Sequence, residues 1–254
     1  MKRKLRSTTS NLLPVASILA LLAIWELVSD TGLVPKFMLP SPVDICAAFI
    51  SDFPLLWENS WVTLAETFIG LLFGIIIGFV MAMLMDFFTP VRKALYPIVV
   101  ITQTIPAVAI APLLVLWFGY EMVPKIILVV FIVFFPVTVS LLDGFESTDR
   151  DTINLMRSMG AGKMQIFRYV KFPAALGNFF SSLKIAVSYA VVGAVISEWL
   201  GGFCGLGVYM TRVKKSYSFD KMFAVIFLIS ALSLLLMFGV KLLKKKCMPW
   251  ENKE

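Results

Sequence analysis

One turn of this chain has the residue types of a phosphate cradle. Gly160-Ala161-Gly162-Lys163 joins a glycine-rich bend to a cation. A nucleotide-binding loop also needs a glycine five positions ahead of the Gly-Lys pair and a hydroxyl residue behind it. Arg157 and Met164 stand at those places, so the match fails, and no second Gly-Lys pair exists. The other catalytic sets are missing as well. The chain has no histidine, which removes the commonest general base and metal ligand. It has neither an HExxH nor a GxSxG pattern. Cys46, Cys204 and Cys247 are odd in number and far apart, without metal spacing or a disulfide framework, and they read as reduced fillers. No catalytic residue, metal or bound cofactor is expected on this chain.

Composition says where the chain resides. Of 254 residues, 59% are apolar and 15% charged, with a mean hydropathy of +0.88. A soluble domain of this size could not hide that much apolar surface, so the expected class is an all-α membrane protein. The formal charge of +7 gathers at segment ends and in a few loops. That distribution reads as membrane topology, with no nucleic-acid partner.

About 20 mostly apolar residues span a bilayer as a helix. Six segments qualify or nearly do: 12–28, 64–85, 96–118, 123–142, 179–196 and 222–240. They divide the chain into a basic N-terminus (1–11), a six-span domain (12–240) and a basic C-terminus (241–254). The first span follows Lys2, Arg3, Lys4 and Arg6 and could be a cleaved signal peptide. No small-x-small site follows it, and Asp30 to Pro35 reads as a loop, which favours a retained helix. With the N-terminus inside, sixteen Lys and Arg fall on inner segments and six on outer ones: Lys36, Lys125, Arg212, Lys214, Lys215 and Lys221. Lys184 lies within a span. This bias places both termini and the polar segment 143–177 in the cytoplasm.

Small residues and prolines suggest how the spans pack. Gly70, Gly74, Gly78 and Ala82 recur every fourth position and fall on one helical face. That face suits a tight helix–helix seam or, alternatively, a substrate groove. The third span contains Pro97, Pro106 and Pro112, of which the last two should bend or break it. Carbonyls freed in lipid must find partners inside protein, so this helix should be surrounded or line a cavity. Thr102, Gln103, Thr104 and Pro106 on it are candidate pathway residues, or they simply satisfy the opened backbone. Glu26 and Glu66 lie near outer ends, Lys184 can snorkel inward, and Glu198, a further pathway candidate, falls just after span five. These ionisable groups form no acid–base relay.

Between Thr152 and Tyr169, apolar residues alternate with Arg157, Lys163, Gln165 and Arg168, and the pattern breaks at Gly160-Ala161-Gly162. Short amphipathic helices are expected on either side of that break. They could lie on lipid headgroups or fit a groove on a partner.

Gly160 is followed by nine residues and then Val170-Lys171-Phe172-Pro173. This resembles the cytoplasmic loop of permease subunits in binding-protein-dependent ATP-binding-cassette (ABC) importers: E-A-A, three residues, Gly, nine residues, Ile-x-Leu-Pro. The E-A-A positions fall on Asn154, Leu155 and Met156, a departure from the pattern. Further segments look like the nitrate/sulfonate/taurine-type group. They are Leu39-Pro40-Ser41-Pro42, the run from Ile105-Pro106 through Ala111-Pro112-Leu113 to Trp117-Phe118-Gly119, and Ser197-Glu198-Trp199-Leu200-Gly201-Gly202 with Gly205-Leu206-Gly207. The Glu198–Gly202 form, followed by Tyr209-Met210-Thr211-Arg212, looks most like members associated with pyrimidine precursors of thiamine.

The resemblance implies a type I importer permease whose coupling loop, 143–177, docks a cytoplasmic ABC ATPase. Asn154, Leu155, Met156, Gly160, Ala161, Gly162, Val170 and Pro173 would belong to that coupling site. ATP would be bound by the partner ATPase. A second permease copy, taken as a homodimer, would complete the pathway, and an extracytoplasmic binding protein would deliver a small polar solute. The implied location is the inner membrane. A secondary transporter or channel is the rival reading. It would call for polar breaks at matching positions of two halves, yet span six carries no proline to answer the break in span three.

Overall fold

The computed structural model describes residues 2–31, 34–35 and 37–249, with the side chains of residues 2–12, 14 and 15 left aside. The side chains of Lys2, Arg3, Lys4, Arg6, Lys36 and Lys253, which carry part of the orientation count, lie outside the described residues. So does part of the loop expected at 30–35. All regular structure among the described residues is helical: α1 (Lys2–Asp30), α2 (Pro42–Ser51), α3 (Phe53–Phe87), α4 (Thr89–Thr102), α5 (Ala107–Phe118), α6 (Met122–Glu146), α7 (Arg150–Ser158), α8 (Lys163–Ile166), a π-turn (Phe167–Lys171), α9 (Phe172–Leu200), α10 (Leu206–Lys215) and α11 (Phe219–Cys247). A helix satisfies its backbone within its own segment, which is what a long apolar run in lipid requires.

Among the described residues, four helices, α3, α6, the run Lys163–Leu200 and α11, are long and apolar enough to cross a membrane. The pair α4 and α5 would make a fifth span, bent by 98°. The third expected span, 96–118, is therefore two helices rather than one. They part at Gln103 to Pro106, where Pro106 lacks the N–H that would continue the ladder and serves as the residue before α5. Pro112 does not break the chain. It sits inside α5, where its missing donor removes a single bond.

The chain forms two compact units. The first comprises residues up to Trp57 together with Tyr209–Leu228. Here the Trp25 indole N–H donates to the Pro40 carbonyl at 3.1 Å and the Ser29 hydroxyl to the Leu39 carbonyl at 2.9 Å. These bonds fix the segment entering α2. Ser41 then caps α2: its hydroxyl accepts the Asp44 N–H while the Asp44 carboxylate accepts the Ser41 N–H, and Pro42 opens the first turn. The Leu39-Pro40-Ser41-Pro42 motif is thus a helix start signal. Trp25 also packs against Phe223 and Phe227, with centroids 5.7 and 6.0 Å away.

Asp52, between α2 and α3, accepts from the Tyr209 hydroxyl at 2.5 Å and from Lys221 at 2.9 Å. Partial burial pushes the Asp52 carboxyl up, but the Tyr209 hydroxyl and the Lys221 ammonium outweigh it and hold it below the ordinary aspartate value. Burial and then the Asp52 carboxylate push the Tyr209 hydroxyl well above the ordinary phenol range.

The second unit comprises Glu58–Val208 and Ile229–Glu254. Its core is a seam of small and β-branched residues. Val129, Val133, Val137, Leu141 and Phe145 of α6 pack with Ala175, Ala186, Ala190 and Ala194 of α9. On the other flank of α6, a side chain at Gly70 would meet Val129, one at Gly74 would meet Val133, and one at Gly78 would meet Val137. The every-fourth-position glycines of α3 are where backbone and valine side chains come closest. A Cβ at Gly74 would lie 2.7 Å from the Val133 side chain, whereas one at Gly239 in α11 would meet nothing within 4 Å. Gly74→Ala should therefore destabilise the protein by about 1–3 kcal/mol, the usual penalty of overpacking. Gly239→Ala should leave the thermal unfolding midpoint in detergent unchanged or raised.

Candidate functional site

Three constellations in the second unit carry charged or polar groups. The first is fully buried. Lys125, in the opening turn of α6, stands 2.6 Å from Glu66 of α3, with 4% and 1% of their side chains exposed. Nearby, Glu198 in the last turn of α9 accepts the Thr63 hydroxyl at 2.7 Å and the Gly207 N–H at 2.6 Å. Thr63 also accepts the Leu206 N–H, and the Asn59 side-chain carbonyl accepts the Gly205 N–H. Three successive amides leading into α10 are thereby bound by side chains of α3 and α9. Gly205 adopts φ +120, and any side chain on it would collide with the Glu198 carboxylate.

Sequence reasoning missed this cluster. Lys125 is not one of the exposed outer-loop cations, since it is enclosed and paired. Glu66 does not start its helix, because α3 already begins at Phe53. Lys125 and Glu66 are 59 residues apart, and no local spacing announces their meeting.

The second constellation is a cavity of about 430 Å³ at the break between α4 and α5. Thr102, Gln103, Pro106, Phe131, Phe135 and Tyr189 are among its lining residues. Thr104 instead turns back to donate to the Ile101 carbonyl. Glu198 belongs to the buried cluster. Of the five pathway candidates, Thr102, Gln103 and Pro106 share this wall.

The third is the segment from α7 to the π-turn. Asp149 caps α7, its carboxylate accepting the Asp151 and Thr152 amides. The Thr152 hydroxyl, followed by those two amide bonds, holds the Asp149 carboxyl below its ordinary value. At the other end, the Ala161 N–H bonds to the Met156 carbonyl and the Gly160 N–H to the Arg157 carbonyl. This is a Schellman motif, with Gly160 at φ +84 in the left-handed position. Gly162 is extended, with φ −74, and its N–H donates to the Gln165 side chain.

Phe167, in the π-turn, packs against Phe87, Phe145 and Phe172, and Lys171 pairs with Asp86 at 2.6 Å. Asn154 and Leu155 are exposed, as are Gly160 and Gly162, while Met156, Ala161, Val170 and Pro173 are half-buried. The polar stretch is therefore shorter than the expected 143–177. Its first residues complete α6, and those from Lys163 onward are already the helical run into α9. All three cysteines are free thiols with exposed side chains.

Apolar spans, a broken helix with a cavity at its break and a capped amphipathic segment held between two spans describe a membrane transport subunit. Residues 74–248 match the family described as binding-protein-dependent transport system inner membrane component, and the chain belongs to it. It is 40% identical over 227 residues to a probable ABC transporter permease protein of Haemophilus influenzae, covering 89% of this chain and 93% of that one. It is 38% identical over 242 residues to the formylaminopyrimidine transport permease protein ThiX of Halalkalibacterium halodurans, covering 95% and 96%. A solved chain of the MetNI methionine ABC transporter, in an inward-facing conformation, aligns with a TM-score of 0.66 at 23% identity. That alignment covers 77% of this chain and 97% of the other, a likeness of fold. The chain is a multi-pass inner-membrane permease of the ABC importer class.

Breaking the buried pair tests its weight. Lys125→Met strands Glu66 and should cost about 3–5 kcal/mol. Adding Glu66→Leu should recover most of that loss in the same detergent unfolding assay.

Proposed function

We propose that this chain forms the pathway of an importer for a neutral pyrimidine precursor of thiamine, driven by a separate ATPase docked on residues 150–171. The observation that carries the driven mechanism is α7 itself. It is a capped, exposed amphipathic helix that follows α6 by three residues on one side and runs, through the Gly160–Gly162 bend, α8 and the π-turn, into α9 on the other. The anchors lie at its roots: Arg92 pairs with Glu146 at the end of α6, and Lys171 pairs with Asp86. Closure of an ATPase against α7 would favour one arrangement of these spans over the other. ATP binds the partner and not this chain. The basic bias supports both termini and this segment facing the cytoplasm, with a solute-binding protein on the opposite side.

Two observations support the solute class. A relative matching nearly the whole chain is named for formylaminopyrimidine transport. The cavity at the helix break has no charged residue on its wall and offers Gln103 beside Phe131, Phe135 and Tyr189. An amide and aromatic rings suit an uncharged hydrogen-bonding heterocycle. A sulfonate would leave its charge unanswered there. A second copy of the chain would close the open flank, since α5 exposes Leu116 and Trp117 at 79% and 66%.

Uptake by proteoliposomes holding the chain, its co-purifying ATPase and its binding protein is expected to require ATP and to be competed by formylaminopyrimidine but not by taurine. Uptake by the chain alone would overturn the reading. Gly160→Leu forces a side chain into the left-handed region at about 1–2 kcal/mol. It should lower ATPase docking roughly five- to thirtyfold while membrane insertion stays intact.

A further inference from the structure

The surface offered by residues 152–171 is one-signed. It exposes Leu155, Met159, Met164 and Tyr169, at 61%, 75%, 60% and 65%. Among them stand Arg157, Lys163 and Arg168, all exposed, with the Arg168 guanidinium 5.9 Å from the centre of the Tyr169 ring. No aspartate or glutamate occurs between Thr152 and Lys171. Asp149 and Asp151 lie at the far end of α7, where Asp149 is occupied in capping. Arg157, Lys163 and Lys171 also line a cleft of about 490 Å³ beneath the segment. The single acid there, Asp86, is engaged by Lys171. The residue six places before Gly160, a glutamate in the importer loop pattern, is here the uncharged Asn154.

We propose that the groove receiving this segment has an apolar floor and a carboxylate rim, so that the partner supplies the acids and this chain the cations. The inference rests on the docking role given above and specifies the chemistry of the partner's side. Arg157, Lys163 and Arg168 would form charge-assisted bonds to the rim. Leu155 and the adaptable methionines would fill the floor. A membrane surface is a poorer fit. α7 has nine residues and exposes one large apolar side chain, Leu155, with Met159 just beyond its end. That is little area to hold an interfacial helix, whose binding scales with buried apolar surface.

The test immobilises the chain in nanodiscs of zwitterionic lipid and measures retention of the ATPase that co-purifies with it. The wild type is compared with R157E/K163E/R168E, with R157Q/K163Q/R168Q and with Leu155→Asp. Monodispersity and the thermal midpoint are checked for each variant. Charge reversal should weaken retention at least about tenfold, neutralisation should weaken it less, and added salt should erode wild-type binding. Retention unaffected by reversal and salt, but lost in Leu155→Asp, would overturn the acidic rim and leave the docking reading standing. Retention that depends on anionic lipid in the discs would assign the cations to headgroups and also overturn it. A wild-type chain that retains no ATPase in any disc would remove the docking reading and this inference together.

Discussion

An ammonium group enclosed among apolar helices must be neutralised where it sits, and Glu66 does that for Lys125. Taking both ions out of water costs several kcal/mol each, which only close pairing repays. The geometry of the second unit follows from this demand. The opening turn of α6 is held to α3 at a defined height. The Glu198 carboxylate is satisfied differently, by the Thr63 hydroxyl and an amide at the start of α10. The two acids also act on each other and share the Lys125 charge, and together they bind α3, α6, α9 and the glycine-rich segment after α9. Below this latch the valine and glycine seam needs only small residues and close approach.

Rigidity is thus unevenly placed. The α3–α6–α9 seam is dense, and its glycines leave no room for added carbons. Residues 150–165, by contrast, bury no side chain. Their shape comes from backbone devices: an aspartate cap, a Schellman turn at Gly160 and the Gln165 bond to the Gly162 amide. Ile166 and Phe167 mark where that segment rejoins the packed protein. A short helix shaped by its own caps and rooted in aromatic packing keeps its form while its outward face stays exposed.

Much of this was readable from residue order. Apolar runs longer than a bilayer can only be helices, and 64–85, 123–142, 179–196 and 222–240 lie within α3, α6, the run into α9, and α11. The glycine period of α3 and the two glycines after α7 mark features that local rules describe. Pro106 marks the helix break, yet Pro112 has the same composition signal and sits inside α5. A proline removes one bond, and whether the ladder ends there depends on neighbours in space. The meeting of Lys125 with Glu66 was illegible for the same reason. It depends on the relative height of two helices, which no one-dimensional period encodes.

The π-turn at Phe167–Lys171 has a mechanical corollary. Its Phe172 N–H reaches the Phe167 carbonyl, five residues back, so this turn carries one residue more than an α-helical turn. That turn absorbs the extra residue within itself, so splicing out a single residue there would return the backbone to regular winding and leave the direction of everything upstream nearly unchanged. The extra amino acid therefore shifts the sequence register of the segment upstream by one position relative to α9, while its angular phase is kept. Two chains with identical spans and identical docking residues, differing only in that insertion, would hold out their handles toward nearly the same quarter of the compass.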